Sequence, residues 1–295
     1  MSHYSIKELE KLSGIKAHTI RIWEKRYRVI SPQRTATNIR FYSDDDLKKI
    51  INISLLNNNG VKISKIADLS SADLSKRVSE LSEVNTTADV HIDQLIVAMI
   101  DLEEETFEKV LGDIIARFGF ERTITTIVYP FLEKIGILWQ TGNISPAQEH
   151  FISNLIRQKI IVAIDSLPLA SKSQTRALLF LPDQELHELG LLFFHYIVKK
   201  EGFRTYYLGQ MVPYKDVVAL CKSHSPAILI TAITTTPDAP LVERYLNKLC
   251  NDHPTCTILV SGRPLKKMAL KIPSNLHLFS TTLELKEHLK SKISR

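Results

Sequence analysis

The sequence holds only three cysteines in 295 residues, Cys221, Cys250 and Cys256, all in its last quarter. An odd number so placed argues against a disulfide framework and makes a reducing cytoplasm the expected compartment. No apolar run approaches the roughly 18 residues of a spanning helix, so an integral membrane protein is not expected. The opening MSHYSIKELEKLSGIK lacks an apolar core of signal-peptide length, so export is not expected either. Also missing are an internal repeat, a low-complexity run and a heptad seam long enough for a coiled-coil dimer. What remains is ordinary: hydrophobic residues at 44% and charged residues at 24% suit folded globular domains. At roughly 100–200 residues per domain the chain has room for two or three, each with its own core.

Charge is spread unevenly. Residues 1–42 contain nine Lys/Arg against Glu8, Glu10 and Glu24, an excess of six that equals the formal charge of the whole chain. A basic excess confined to one end is the footprint of a phosphate-binding module on a neutral body. The local pattern gives that module a shape. Ser5 and Glu8 form a capping box before Ile6, Leu9 and Leu12, Ser13-Gly14 is a stop, and a second helix follows over about Ala17 to Lys25. Two short helices joined by a tight Gly-containing turn make a helix-turn-helix. Residues 30–42 read as a hairpin that starts at Pro32 and turns at Thr37-Asn38. Ser43 and Asp46 cap a helix over about 44–57, and a short helix near 63–69 closes the unit.

On this plan Thr19, Arg21 and Arg26 of the second helix can enter a major groove, while Arg34, Asn38, Arg40 and Tyr42 of the hairpin hold the flanking backbone. Ile20, Trp23 and Phe41 are assigned to the core. With its second-helix arginine and aromatic, its Pro-x-Arg wing start and its Arg-x-Tyr wing end, the stretch 4–75 resembles the winged-helix DNA-binding domain of the MerR family. Trp23 stands where that family often has Tyr. The resemblance implies double-stranded operator DNA as a partner.

From Ser70 to Asp89 the chain is rich in Ser, Thr, Glu and Asn and reads as a linker, with a helix near 72–82 as an option. Residues 91–168 read as four helices, about 91–101, 104–118, 120–139 (with Pro130 as a kink point) and 145–166, whose apolar stripes suit an antiparallel bundle. From Arg176 the period changes. ALLFLP (177–182), TYYLG (205–209), AILITAI (227–233), CTILVSG (256–262) and LHLFS (276–280) are strands separated by helices, which indicates a doubly wound parallel sheet. The expected fold class is therefore multidomain. An α-rich winged helix-turn-helix head occupies residues 1–75, a linker 76–89, a four-helix bundle 90–172 and a Rossmann-like α/β domain 173–295.

Open sheets of this kind bind ligands beyond the carboxyl ends of their strands. Directly after the first of these strands stands Glu185-Leu186-His187-Glu188-Leu189-Gly190. No Gly-x-Gly-x-x-Gly or phosphate loop follows the strand, which weakens nucleotide readings. Glu185 is placed to accept one ring proton of His187 and raise its basicity as a metal ligand, and Gly190 leaves room for a large planar group. Asp/Glu-x-His-x-x-Gly in this position resembles the motif of cobalamin-binding domains, which implies His187 as the lower ligand of cobalt and entry of the cofactor's nucleotide tail into the sheet. Such domains have Ser-x-Leu after the third strand and Gly-Gly after the fourth. Here stand Thr231-Ala232-Ile233, with the hydroxyl kept at Thr231, and Ser261-Gly262.

In the bundle, Trp139 is followed after nine residues by Glu149-His150. A short loop brings the three to one end of the bundle; a core tryptophan beside an exposed acid–base pair is the plainer alternative. The same spacing resembles the cap of light-sensing cobalamin regulators of the CarH and LitR kind. That resemblance implies adenosylcobalamin as cofactor, Trp139 over its upper axial group, and Glu149 and His150 against the adenosyl moiety. Family members carry a cobalt-binding His after the tryptophan; this chain has Gln140.

The resemblance implies a DNA-binding repressor, not an enzyme, controlled by adenosylcobalamin, which assembles as a dimer or tetramer in the dark and releases DNA in light; whether light or the cobalamin level is the signal stays open. Two other readings stay open. The sensor region can be cobalamin-independent, for which Gln140, Ser261 and Thr231-Ala232-Ile233 speak. A corrinoid methyltransferase module is the last, and the basic head speaks against it.

Overall fold

The computed structural model describes residues 3–84, 87–140, 144–235, 238–268, 270–271 and 273–293. They form two compact units, residues 1–152 and 153–295.

The first unit begins with the expected helix pair. Helix α1 (Ile6–Ser13) carries the Ser5/Glu8 capping box, and Gly14 closes it at φ 74°. Helix α2 (Ala17–Tyr27) has no cap from its own preceding residue, Lys16. Glu10 supplies one across the turn, accepting from the Ala17 N–H at 3.0 Å and pairing with Lys16 at 3.0 Å. Leu9, Leu12, Ile20 and Trp23 are buried between the helices. Strands β1 (Gln33–Arg34) and β2 (Arg40–Phe41) pair antiparallel, and Asn38 takes φ 65° in the turn. Helix α3 (Asp44–Asn58) starts at the Ser43/Asp46 capping box, and a single turn, α4 (Ile63–Ile66), follows.

The Ser- and Glu-rich stretch is helical well into the expected linker. Helix α5 runs over Ser71–Val84, because Ser70 Oγ accepts from the Asp73 N–H at 3.1 Å and Leu74 and Val78 are buried. The remainder of the expected linker includes residues 85–86, which lie outside the described residues.

Helices α6 (Ala88–Ile100), α7 (Glu104–Phe118), α8 (Phe120–Thr123), α9 (Tyr129–Gln140) and α10 (Pro146–Asp165) complete the helical layer, α10 running through the division between the units. Before Pro130, the expected kink point, α8 and α9 are joined by a π-helical turn over Ile124–Val128. Pro130 has no N–H to donate into the preceding turn, and the widened turn absorbs the mismatch.

The second unit holds β3 (Arg176–Pro182), α11 (Glu188–Lys200), β4 (Arg204–Val212), α12 (Tyr214–His224), β5 (Ile228–Ala232), α13 (Ala239–Asp252), β6 (Thr257–Ser261), β7 (Leu276–Phe279) and α14 (Thr282–Ile293). The strands are parallel in the order β4-β3-β5-β6-β7. The chain leaves β3 to one side and returns to its other side at β5, so the order reverses between these two strands, and a ligand crevice opens at such a reversal. Leu178 to Leu181, Ile228 to Ile230 and Ile258 to Val260 are buried, which is why they read as continuous apolar runs. The three cysteines are buried free thiols. No helix among the described residues is long and apolar enough to cross a membrane.

Replacing Ser70 with Ala removes the α5 cap, worth about 1 kcal/mol. Native-state hydrogen exchange of the Leu74 and Val78 amides should quicken about fivefold. Wild-type amides that already exchange like an unstructured peptide would restore the linker reading.

Candidate functional site

In the head, Arg21 and Arg26 on α2 and Arg34, Asn38 and Arg40 on the hairpin are exposed, and Thr19 is half-buried at the start of α2. Arg34 Nη1 donates to Asn38 Oδ1 at 2.6 Å, so these two wing residues brace one another. Tyr42 does not belong with them. It is fully buried, forms a backbone bridge with Tyr4 and donates its hydroxyl to Glu24 Oε2 at 3.2 Å. Burial, then the neighbouring Glu24 carboxylate, pushes its phenol up to about 12. Tyr42 holds the wing to α2 from inside, and its expected role against DNA backbone is withdrawn. Ile20 and Trp23 are core as expected, whereas Phe41 is only half-buried and stacks on His3 at 4.2 Å.

At the sheet edge the structure brings several expected residues together. Glu185 is 2% exposed. Its Oε1 lies 2.6 Å from His187 Nδ1 and accepts the His187 N–H at 3.1 Å. Its Oε2 accepts the N–H groups of Thr234 and Thr235, at 2.7 and 2.9 Å, and the Thr235 hydroxyl at 3.2 Å. Burial alone raises a carboxyl, but the bonds from His187, Thr235 and Thr234 overcome it and hold Glu185 well below the usual carboxylate range. The loops after β3 and β5, on either side of the reversal, are thus tied to one anion. The His187 ring itself is largely exposed.

Leu186, in the same loop, and Met211, near the carboxyl end of β4, are exposed apolar side chains. Gln184 and Met211 take φ 67° and 56°, conformations that non-glycine residues adopt at a cost and that cluster at ligand sites. A Cβ at Gly190 would meet nothing within 4 Å, so the first turn of α11 faces open space. Thr231 Oγ1 is fully buried and has no hydrogen-bond partner among the described residues. Ser261 is half-buried, its carbonyl accepting the Ile233 N–H at 2.8 Å. Gly262 has its own reason to be glycine: a Cβ there would sit 1.9 Å from the Ile233 carbonyl oxygen.

Trp139 near the end of α9 is 47% exposed, so it is not the core tryptophan of the plainer alternative. Glu149 and His150 stand in the first turns of α10, His150 Nδ1 3.7 Å from Glu149 Oε2. Residues 141–143 of the intervening loop lie outside the described residues, as does the side chain of Gln140. Sequence reasoning missed Thr234 and Thr235; the run Thr234-Thr235-Thr236 after the third strand of the sheet was their only mark.

Residues 4–73 match the family described as MerR HTH family regulatory protein, and residues 91–163 match the B12 binding domain. The chain thus carries a MerR-type helix-turn-helix region and a B12 binding domain. The transcriptional repressor CarH of Myxococcus xanthus is 27% identical over 220 residues, 72% of this chain and 73% of that protein. CarA of the same organism, also a transcriptional repressor, is 25% identical over 226 residues, 76% and 74% of the two. The Methanosarcina barkeri monomethylamine corrinoid protein superposes with a TM-score of 0.54 at 14% identity, covering 70% of this chain and all of that one, a likeness of fold.

The residues at the sheet edge fit a corrinoid on two grounds of this structure. The His187 imidazole, buttressed at Nδ1 by Glu185, suits a metal that brings its other ligands with it. The orphaned hydroxyl of Thr231 is a buried polar group waiting for a partner.

Glu185→Gln keeps the shape and removes the charge. It should lower stability by about 2 kcal/mol at pH 7, since bonds to a buried anion are lost. Because Glu185 binds its proton more weakly when folded, its contribution is complete above about pH 4.3 and fades as pH falls below that. Urea unfolding from pH 6 to 3 should show wild type and variant converging. Parallel curves would show that the carboxylate is not held ionised.

Proposed function

We propose that the chain is a cytoplasmic, non-enzymatic transcriptional repressor whose grip on operator DNA is set by adenosylcobalamin and released by light. The observation that carries this reading is the Glu185–His187 pair at the strand-order reversal, on the same chain as a basic helix-turn-helix. His187 would hold cobalt through Nε2, since Glu185 takes Nδ1, and Thr231 would bond the base of the nucleotide tail. Trp139, Glu149 and His150 would face the upper group, Leu186 and Met211 would offer apolar surface, and Ser261-Gly262 would border the tail. When bound, adenosylcobalamin supplies a cobalt–carbon bond that light cleaves.

The chain's own residues do the rest. Glu185 fixes the His187 ring and keeps its proton on Nδ1. Arg21, Arg26, Arg34 and Arg40 neutralise phosphates, with Thr19 and Asn38 beside them, and the affinity they supply falls with salt. Assembly into a dimer or tetramer joins several heads, so that once one is on DNA the others bind at high effective concentration. Trp139 would contribute to that assembly only while it covers an upper group, so removal of the group would loosen the assembly and lower occupancy.

Gel filtration with adenosylcobalamin in darkness and again after illumination tests this, with gel shifts on a duplex that the protein selects from random sequence. Corrin should co-elute with a dark assembly that shrinks in light, and DNA affinity should fall with it. Arg34→Ala should reduce the salt slope of binding by about one. Corrin that runs apart from the protein would overturn the cofactor reading, and unchanged affinity on illumination would overturn the light switch.

A further inference from the structure

Glu188 takes no part in the site above, yet side chains from two other elements converge on its carboxylate. It is the first residue of α11, directly after His187. Tyr207 of β4 donates its hydroxyl to Glu188 Oε1 at 2.9 Å. Arg157 of α10 sets its Nε 3.4 Å from Oε2, and its Nη1 donates to Asn154 Oδ1 at 2.7 Å. Tyr207 hydrogen-bonds one oxygen and Arg157 stands at ion-pair distance from the other, its Nε making no hydrogen bond among the described residues, and the Glu188 side chain is only 15% exposed.

The backbone of β4 is adapted to this arrangement. Leu179 of β3 faces Tyr207, but the next residue, Phe180, faces Gly209, so Leu208 is an extra residue in a bulge. Bulges re-aim side chains beside functional sites. Gly209 makes this one possible at φ 78°, where a Cβ would crowd Glu188 Oε1 at 3.3 Å. The Tyr207 ring is held in turn by His195 of α11, stacked at 4.9 Å and 13°, and His195 Nε2 lies 2.9 Å from Thr205 Oγ1. Burial, with Lys199 nearby, lowers His195 to about 4, so the ring is neutral near pH 7.

An acid at a helix start is served well enough by solvent and the helix dipole. Burying it behind a phenol and a guanidinium costs desolvation, so the extra construction calls for another reason. We propose that Glu188 is a positioning residue for His187: Tyr207 and Arg157, acting through its carboxylate, fix the first turn of α11 so that His187 is presented in one orientation. The inference rests on the cobalamin reading.

The test is titration of the full chain in darkness with hydroxocobalamin, followed by corrin absorbance, with electron paramagnetic resonance of the Co(II) form to read imidazole nitrogen on cobalt. Tyr207→Phe and Arg157→Met should each weaken binding about tenfold, the low end for residues that support a metal ligand. Both should lower the imidazole-bound share of the signal. In a Glu188→Gln background Arg157→Met should add less than about twofold, because its effect runs through that carboxylate. Tyr207→Phe deletes one oxygen and keeps the stacked ring, so it folds where a larger change fails. Wild-type binding in both variants, or weaker binding with an unchanged imidazole signal, would overturn the proposal. His187→Ala separates the two readings. If it loses the imidazole signal while Tyr207→Phe and Arg157→Met behave as wild type, the cobalamin reading stands and this one falls. A wild-type chain that takes up no corrin overturns both.

Discussion

Glu185 is a carboxylate withdrawn from water where the strand order reverses, and its five donors come from both loops that meet there. Ionised and buried, it needs every one of them, because an uncompensated charge in such a place costs several kcal/mol. The loops after β3 and β5 are therefore fixed relative to one another by charge, where hydrophobic contact would leave them free to slide. The same bond decides a chemical detail. An anion at 2.6 Å from Nδ1 requires the proton there, so the lone pair of the neutral His187 ring is on Nε2. Loop placement and ligand chemistry follow from one side chain.

The head uses a similar device at smaller scale. Glu24 of α2 receives the Tyr42 hydroxyl through Oε2, and Arg40 approaches its Oε1 at 3.7 Å, so the wing is tethered to the recognition helix by an acid that both share. Arg40 is exposed, and on the proposed reading its free face would meet phosphate, whereas Tyr42 is buried. A surface pair such as Arg40–Glu24 contributes little stability. Its effect is to aim a guanidinium.

Much of this was legible in the sequence, and the failures share a cause. The strands of the parallel sheet are buried on both faces, so Leu178 to Leu181 and Ile228 to Ile230 announce themselves as apolar runs. The Glu185–His187 pair was legible because its members are two residues apart. Its other half was not: Thr234 and Thr235 lie about fifty residues on and act largely through backbone N–H groups, which every residue but proline possesses. Tyr42 was misplaced because the alternation of a two-residue strand cannot tell inside from outside; the bridge to Tyr4 decides it. In α5 the Ser and Glu composition favoured a linker, but the helix near 72–82 offered beside it is what forms, with Leu74 and Val78 buried at helical spacing. Arg157, Glu188 and Tyr207 left no sequence signal, since their meeting depends on a bulge.

Gln140 bears on how the proposed switch runs. An amide oxygen is a weak ligand for cobalt, so a light state of the proposed switch would not be locked by a ligand gained next to Trp139. The switch must then draw on the interactions that end when the upper group leaves. A bound group shifts a two-state equilibrium only by its differential affinity, and moving from 1:99 to 99:1 takes about 5.5 kcal/mol. Covering the exposed half of the Trp139 ring is worth about 1–2 kcal/mol, and hydrogen bonds to Glu149 and His150 about 1.5–3 each where charge is involved. Together these reach the required size, so in the proposed switch the three upper residues would suffice without a second histidine on cobalt. On that reading the two states would differ by the interactions of one removable group, with no covalent latch in the light.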